Sequence, residues 1–143
     1  MKKILNLTPI ALVALLLTVA VASAHHSFQA EYDQSKPLTL VGRVTKIVVE
    51  NPHGWLYLET KRADGRAIVW QIEMPAPNAL NRIGTGKDNL NELVMTGEQV
   101  SVSAYAARDE SKHAWGSSLK RQDGQTVIRL GENAQVLVPA APK

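Results

Sequence analysis

Residues 38–84 run LTLVGRVTKIVVENPHGWLYLETKRADGRAIVWQIEMPAPNALNRIG, and the way this stretch divides decides the fold. Trp55 to Lys61 and Ala67 to Glu73 flank Ala63-Asp64-Gly65-Arg66. Asp-Gly between two alternating segments is the strongest short-range signal for a β-hairpin. In the second arm Ile68, Trp70 and Ile72 share one face and Val69, Gln71 and Glu73 the other, the pattern of a half-buried strand. Upstream, Leu38 to Val49 forms a long first strand whose apolar parity changes midway, with Leu40, Val44 and Val48 on one side and Val41, Ile47 and Val49 on the other. Gly42 near its start marks a bulge or sharp bend. Asn51-Pro52-His53-Gly54 then breaks the pattern, because Pro52 has no donor for a ladder, and it forms the turn into strand two. Downstream, Pro77 suits the first turn of a short helix over Asn78-Ile83, and Gly84 the position beyond its end.

Working outward, Lys87 to Met95 adds a helical turn. Strand four follows, with Val100, Val102, Ala104 and Ala106 inward and Ser101, Ser103 and Tyr105 outward. The polar loop Arg108 to His113 leads to a strand from Trp115 to Arg121, and Gln122-Asp123-Gly124-Gln125 turns into Thr126 to Leu130. Ala134 to Val138 supplies an edge strand, and residues 139–143 a loose tail. Three strands, a short helix, then two or three strands is the order of an OB-like, partly open antiparallel barrel, a mainly β fold with one short helix between strands three and four. A small sandwich would carry the same turns. The long bent first strand and the position of the helix favour the barrel.

The amino terminus has a different character. Lys2 and Lys3 precede an apolar run from Ile10 to Ala22, and Ala22-Ser23-Ala24 is a small-x-small cleavage site, which together make a secretory signal peptide. The apolar run is too short to span a bilayer core of about 30 Å. The expected organisation is therefore a signal peptide over 1–24, an arm over 25–37, the barrel over 38–138 and the tail over 139–143. A periplasmic location follows, with no stable membrane anchor after cleavage. Ala20-Val21-Ala22 is a second A-x-A site, so the mature chain starts at His25 or at Ser23.

Composition narrows the chemistry. The 143 residues contain no cysteine, which removes disulfides, thiolate metal sites and cysteine nucleophiles. The net charge of +3 includes Lys2 and Lys3, so the mature chain is nearly neutral. That balance, with export, argues against nucleic acid as a partner. No Gly-x-Ser-x-Gly elbow, phosphate-binding glycine loop or His-Glu-x-x-His helix occurs, and Glu31, Asp33, Glu50, Glu59 and Glu73 are scattered carboxylates expected on solvated faces. The expectation is a binding protein and not an enzyme.

Four histidines, His25, His26, His53 and His113, are the strongest potential ligands. Cleavage after Ala24 would give His25 an α-amine and an imidazole for one ion, and His26 and His53 would complete a nitrogen-rich set favouring Cu(II). Against this stands a plainer reading, in which His25 and His26 begin a polar terminal segment and the other two are ordinary loop residues. Trp55, His113 and Trp115 are candidates for an aromatic ligand cleft at one barrel mouth, serving an exported protein or a small molecule. Large rings at strand positions more often fill a core. Phe28 and Tyr32 are suited to anchoring the amino-terminal arm.

Several short motifs occur in a telling order: Ala24-His25-His26-Ser27-Phe28, Asn51-Pro52-His53, Pro77-Asn78-Ala79-Leu80 with Arg82 and Gly84, and a strand entry at Gly97. In these the chain resembles the domain-of-unknown-function 6152 family of small exported bacterial proteins, over nearly all of its mature length. It departs at Thr85, where a bulkier residue is expected, and in a longer stretch from Asn89 to Gly97. The resemblance implies an exported β-barrel domain with no established activity, and it draws attention to His25, His26 and His53.

Overall fold

The structure, a computed structural model, describes residues 28–129. The signal peptide, His25, His26, the strand expected over residues 134–138 and the tail lie outside the described residues. In chain order the elements are helix α1 (Phe28–Glu31), strands β1 (Tyr32–Val49), β2 (Gly54–Lys61) and β3 (Ala67–Met74), helices α2 (Pro77–Arg82) and α3 (Lys87–Thr96), and strands β4 (Gln99–Ala107), β5 (His113–Arg121) and β6 (Thr126–Arg129).

The expected barrel is present. Strands pair in the order β3-β2-β1-β4-β5-β6, and a further β3–β5 pairing bends the sheet round into a ring. That seam is parallel and only three residue pairs long, Gln71 with His113 through Glu73 with Trp115. All other pairings are antiparallel. A short seam holds the barrel together while leaving it partly open.

β1 is the corner of the structure. It begins at Tyr32, earlier than the expected Leu38, pairs with β4 up to Arg43 and with β2 from Gly42 onward. At Gly42 the two neighbours crowd the same backbone, and a Cβ there would lie 2.1 Å from the Glu59 carbonyl oxygen. Only glycine fits that approach. The register slip against β2 falls between Val44 and Lys46, just beyond Gly42, and another against β4 between Asp33 and Pro37; the Thr45 hydroxyl donates to the Tyr57 carbonyl at 3.2 Å. Both Asp-Gly hairpins form as expected. Gly65 sits at φ 82°, and the Asp64 and Asp123 carboxylates accept from the backbone N–H groups of Arg66 and Gln125.

Two helices, not one, separate β3 from β4. The residues expected to add a turn form the ten-residue α3, whose Leu90 and Leu93 are fully buried, together with Leu80 of α2. A spacing of three residues puts Leu90 and Leu93 on one face. Thr85, the departure noted between the helices, is buried, and its hydroxyl donates to the Val127 carbonyl. A bulkier side chain would lack that tie to β6.

The barrel interior is filled by Val44, Leu56, Leu58, Ile72, Val100, Val102, Ala104, Ala114 and Leu119. Each fully buried Leu or Ile contributes about 1.5–3 kcal/mol relative to exposure. Strand four departs from its expected alternation at the end. Ala106 is half-buried and Ala107 buried, because a second apolar layer has formed on the opposite face of the sheet. No helix among the described residues is long and apolar enough to cross a membrane.

Candidate functional site

Strand register assembles that second layer. Trp55 pairs with Glu73, Glu73 with Trp115, and Trp115 with Tyr105. Paired residues share a face, so these four side chains form one row across β2, β3, β5 and β4. Leu56, Ile72 and Ala114, each one residue away, form the parallel row inside the barrel. The outer row is covered by the start of the chain. Tyr32 pairs with Ala107 on the same face, and the Phe28 ring lies 5.7 Å from Trp115, 5.9 Å from Tyr105 and 5.7 Å from Tyr32, edge-on to the first two. Arg108 fastens this cover, donating from Nε to the Gln29 carbonyl at 2.8 Å and from its backbone N–H to the Glu31 carbonyl at 2.9 Å.

Beneath the cover Glu73 is 4% exposed, which corrects its expected place on a solvated face. Leaving a carboxylate buried without partners costs several kcal/mol. Here both oxygens are engaged. The Tyr32 hydroxyl donates to Oε2 and His53 Nδ1 contacts Oε1. Burial first, then the hydrogen bond and charge of Glu73, push the Tyr32 hydroxyl well above the ordinary phenol range, so it stays protonated and remains a donor. His53 stands edge-on against Trp115 at 6.1 Å, and its side chain is 38% exposed. One side of the imidazole thus faces a buried carboxylate while the ring remains reachable from outside.

The open side belongs to a cavity of about 350 Å³ lined by Glu31, Glu50, Asn51, Pro52, His53, Trp55 and Glu73. A neighbouring cavity of about 320 Å³ is lined by Ala30, Glu31, Tyr32, Ala107, Arg108, Asp109 and His113. Glu31 borders both, and the Trp55 and His113 rings meet at 6.3 Å between them. A larger cavity, about 790 Å³, lies elsewhere, at the helix junction and the β5–β6 hairpin. Its guanidinium, Arg121, is already neutralised by Glu92 and Glu98.

The residues singled out in the sequence are thus distributed unevenly. Trp55 lines the cavity beside His53, and exposed His113 sits next to Trp55. Trp115 is buried and supports the His53 ring from beneath. Among the described residues no group of three or more His, Cys, Asp or Glu could hold a metal ion; the carboxylate that His53 contacts is that of Glu73. Tyr32 and Glu73 are the partners that sequence reasoning did not bring together. Their separation of 41 residues carries no local signal, although the Trp55-to-Glu73 hairpin register would have put Glu73 beside Trp55.

No curated protein and no solved structure matches the chain. Residues 13–116 match the family described as a family of unknown function (DUF6152), and the chain belongs to that family.

Proposed function

We propose that this chain is an exported, periplasmic, non-enzymatic binding module that holds a copper ion at His53, with His25 and His26 completing the site. The observation that carries the reading is the shared support of Phe28 and His53 on one indole. Phe28 lies 5.7 Å and His53 6.1 Å from the Trp115 ring, and His26 is only two residues before Phe28. Two extended residues reach about 7 Å, so the chain tethers His26 to the Phe28 side of this indole. Nitrogen ligands must converge to about 2 Å from the ion. Without thiols, a set of imidazoles and an α-amine favours Cu(II) over other common divalent ions, and Glu31 and Glu50 at the cavity wall favour a cation there. Export rests on Lys2, Lys3, the apolar run and the Ala24 cleavage site.

The test is titration with Cu(II) of mature protein beginning at His25, its start verified by intact mass. Quenching of tryptophan emission should report binding of one ion, since the Trp115 ring lies 6.1 Å from His53, and His53→Ala should weaken binding at least tenfold. An affinity no greater than that of the denatured chain, or an unchanged affinity in His53→Ala, would overturn the reading. A second reading has its own support in Trp55, which lines the same cavity beside the His113 ring. In that case the site takes an exported protein or a small molecule, no metal is needed, and Trp55→Ala abolishes binding while copper has no effect.

A further inference from the structure

We infer that Glu73, held by Tyr32, is a positioning residue that fixes His53 with its ring proton on Nδ1 and leaves Nε2 bare as the metal-ligating atom. The metal part of this inference rests on the function proposed above; the tautomer part stands on the geometry alone. A neutral imidazole carries one proton, and the nitrogen that bears it is set by the partner of each ring atom. An ionised carboxylate only accepts. His53 Nδ1 faces Oε1 of a Glu73 whose other oxygen is occupied by the Tyr32 hydroxyl, so Nδ1 is the atom that must donate. Glu73 has little freedom to turn away, being buried between Trp55 and Trp115 in the strand register. Metal-ligating histidines commonly have such a carboxylate behind them, which orients the ring and raises the basicity of the ligand nitrogen. Here the carboxylate is buried while the imidazole is accessible, the arrangement in which an ion could displace solvent from one ring nitrogen without disturbing the other.

The tautomer is read directly from long-range nitrogen–proton correlation spectra of the metal-free protein at about pH 9, above the ordinary imidazole range. His53 should be the Nδ1–H form, and exposed His113 should serve as an internal comparison with the Nε2–H form that free histidine favours. Glu73→Gln offers one acceptor where the carboxylate offers two, so Tyr32 and Nδ1 must compete. His53 should then shift toward Nε2–H, and Cu(II) affinity should fall about 10- to 100-fold. Tyr32→Phe keeps the carboxylate, so the Nδ1–H form should persist with a smaller loss of affinity, and this variant decides the matter should Glu73→Gln fail to fold. A wild-type His53 in the Nε2–H form, or a folded Glu73→Gln protein with unchanged tautomer and affinity, would overturn the inference. The two readings separate. An Nδ1–H His53 without copper affinity overturns the proposed function and the metal part of this inference and leaves the tautomer part standing, whereas copper affinity with an Nε2–H His53 overturns the positioning role alone.

Discussion

Replacing Tyr32 with phenylalanine removes one oxygen atom and tests whether the buried carboxylate depends on it. The ring contacts remain, since Phe28 and Trp115 meet the Tyr32 ring at 5.7 and 6.0 Å. The loss is then confined to the hydroxyl's hydrogen bond to Glu73 Oε2. A hydrogen bond to a charged group contributes about 1.5–3 kcal/mol, and more is forfeited when the remaining partner is buried. Tyr32 and Glu73 are each 4% exposed, so water cannot replace the lost donor without opening the α1 cover. With a urea m-value of about 1–1.5 kcal/mol/M for a domain this size, the unfolding midpoint should fall by about 1–3 M. The deficit should also depend on pH in a definite direction. The folded-state pKa of Tyr32 is raised, so its contribution is fully present below the unfolded phenol value of about 10 and is lost as pH rises above it. Urea unfolding of both proteins at about pH 7 and pH 11 should show the gap narrowing at the higher pH. A midpoint shift below about 0.3 M with unchanged m at neutral pH would refute the dependence of Glu73 on Tyr32.

Two further perturbations probe the frame around the site. Gly42→Ala places a Cβ 2.1 Å from the Glu59 carbonyl oxygen, so β1 and β2 must separate by about 1 Å and lose ladder hydrogen bonds at their crossing; a destabilisation above about 2 kcal/mol is expected in urea, and a variant within 0.5 kcal/mol of wild type, on the same order-of-magnitude scale, would disprove the crowding. The carboxyls of Asp33, Asp64 and Asp109 are held below the usual range by hydrogen bonds from Ser35, Arg66 and Ser111 respectively. Their contribution is present above the ordinary carboxylate value and fades as pH falls through the lowered one, so Asp64→Asn should make the acid limb of stability below about pH 4 slightly shallower. An identical limb in the two proteins would contradict this.

Most of the barrel was legible because its signals are local. Asp64-Gly65 and Asp123-Gly124 each define a hairpin within a few residues, and Pro77 and Gly84 bracket a helix by their own backbone preferences. The bend expected near Gly42 in β1 is matched by its crowding there against Glu59, although the register slip against β2 lies at Thr45. The full length of α3 was not legible from residues 87–96, where Lys87, Asp88, Asn89, Asn91 and Glu92 surround only a few apolar positions; burial of Leu90 and Leu93 against the barrel supplies the stability that the local sequence lacks. The site was half legible. His53 and Trp55 stood out by type and by their place beside a turn. Glu73 alternated with inward-facing residues and so read as a solvent position. Its burial arises from a seam with β5 and a cover from Phe28 and Tyr32, contacts between distant parts of the chain that period-two patterning cannot encode.

Those distant contacts also govern when the site comes into being. Tyr32 reaches Glu73 across 41 residues, and Arg108 reaches the Gln29 carbonyl across 79. Pairings of such long sequence separation are slow to form, because the entropy of closing the loop must be met before the contact rewards it. A chain threaded across a membrane from its amino terminus would have Phe28, Tyr32 and His53 outside long before β5 could supply Trp115. His53 would be present throughout that interval, but without the carboxylate, the phenol and the indole that hold it. On that route the pocket would be a late product of folding, and the ion capture proposed above would wait for the whole barrel.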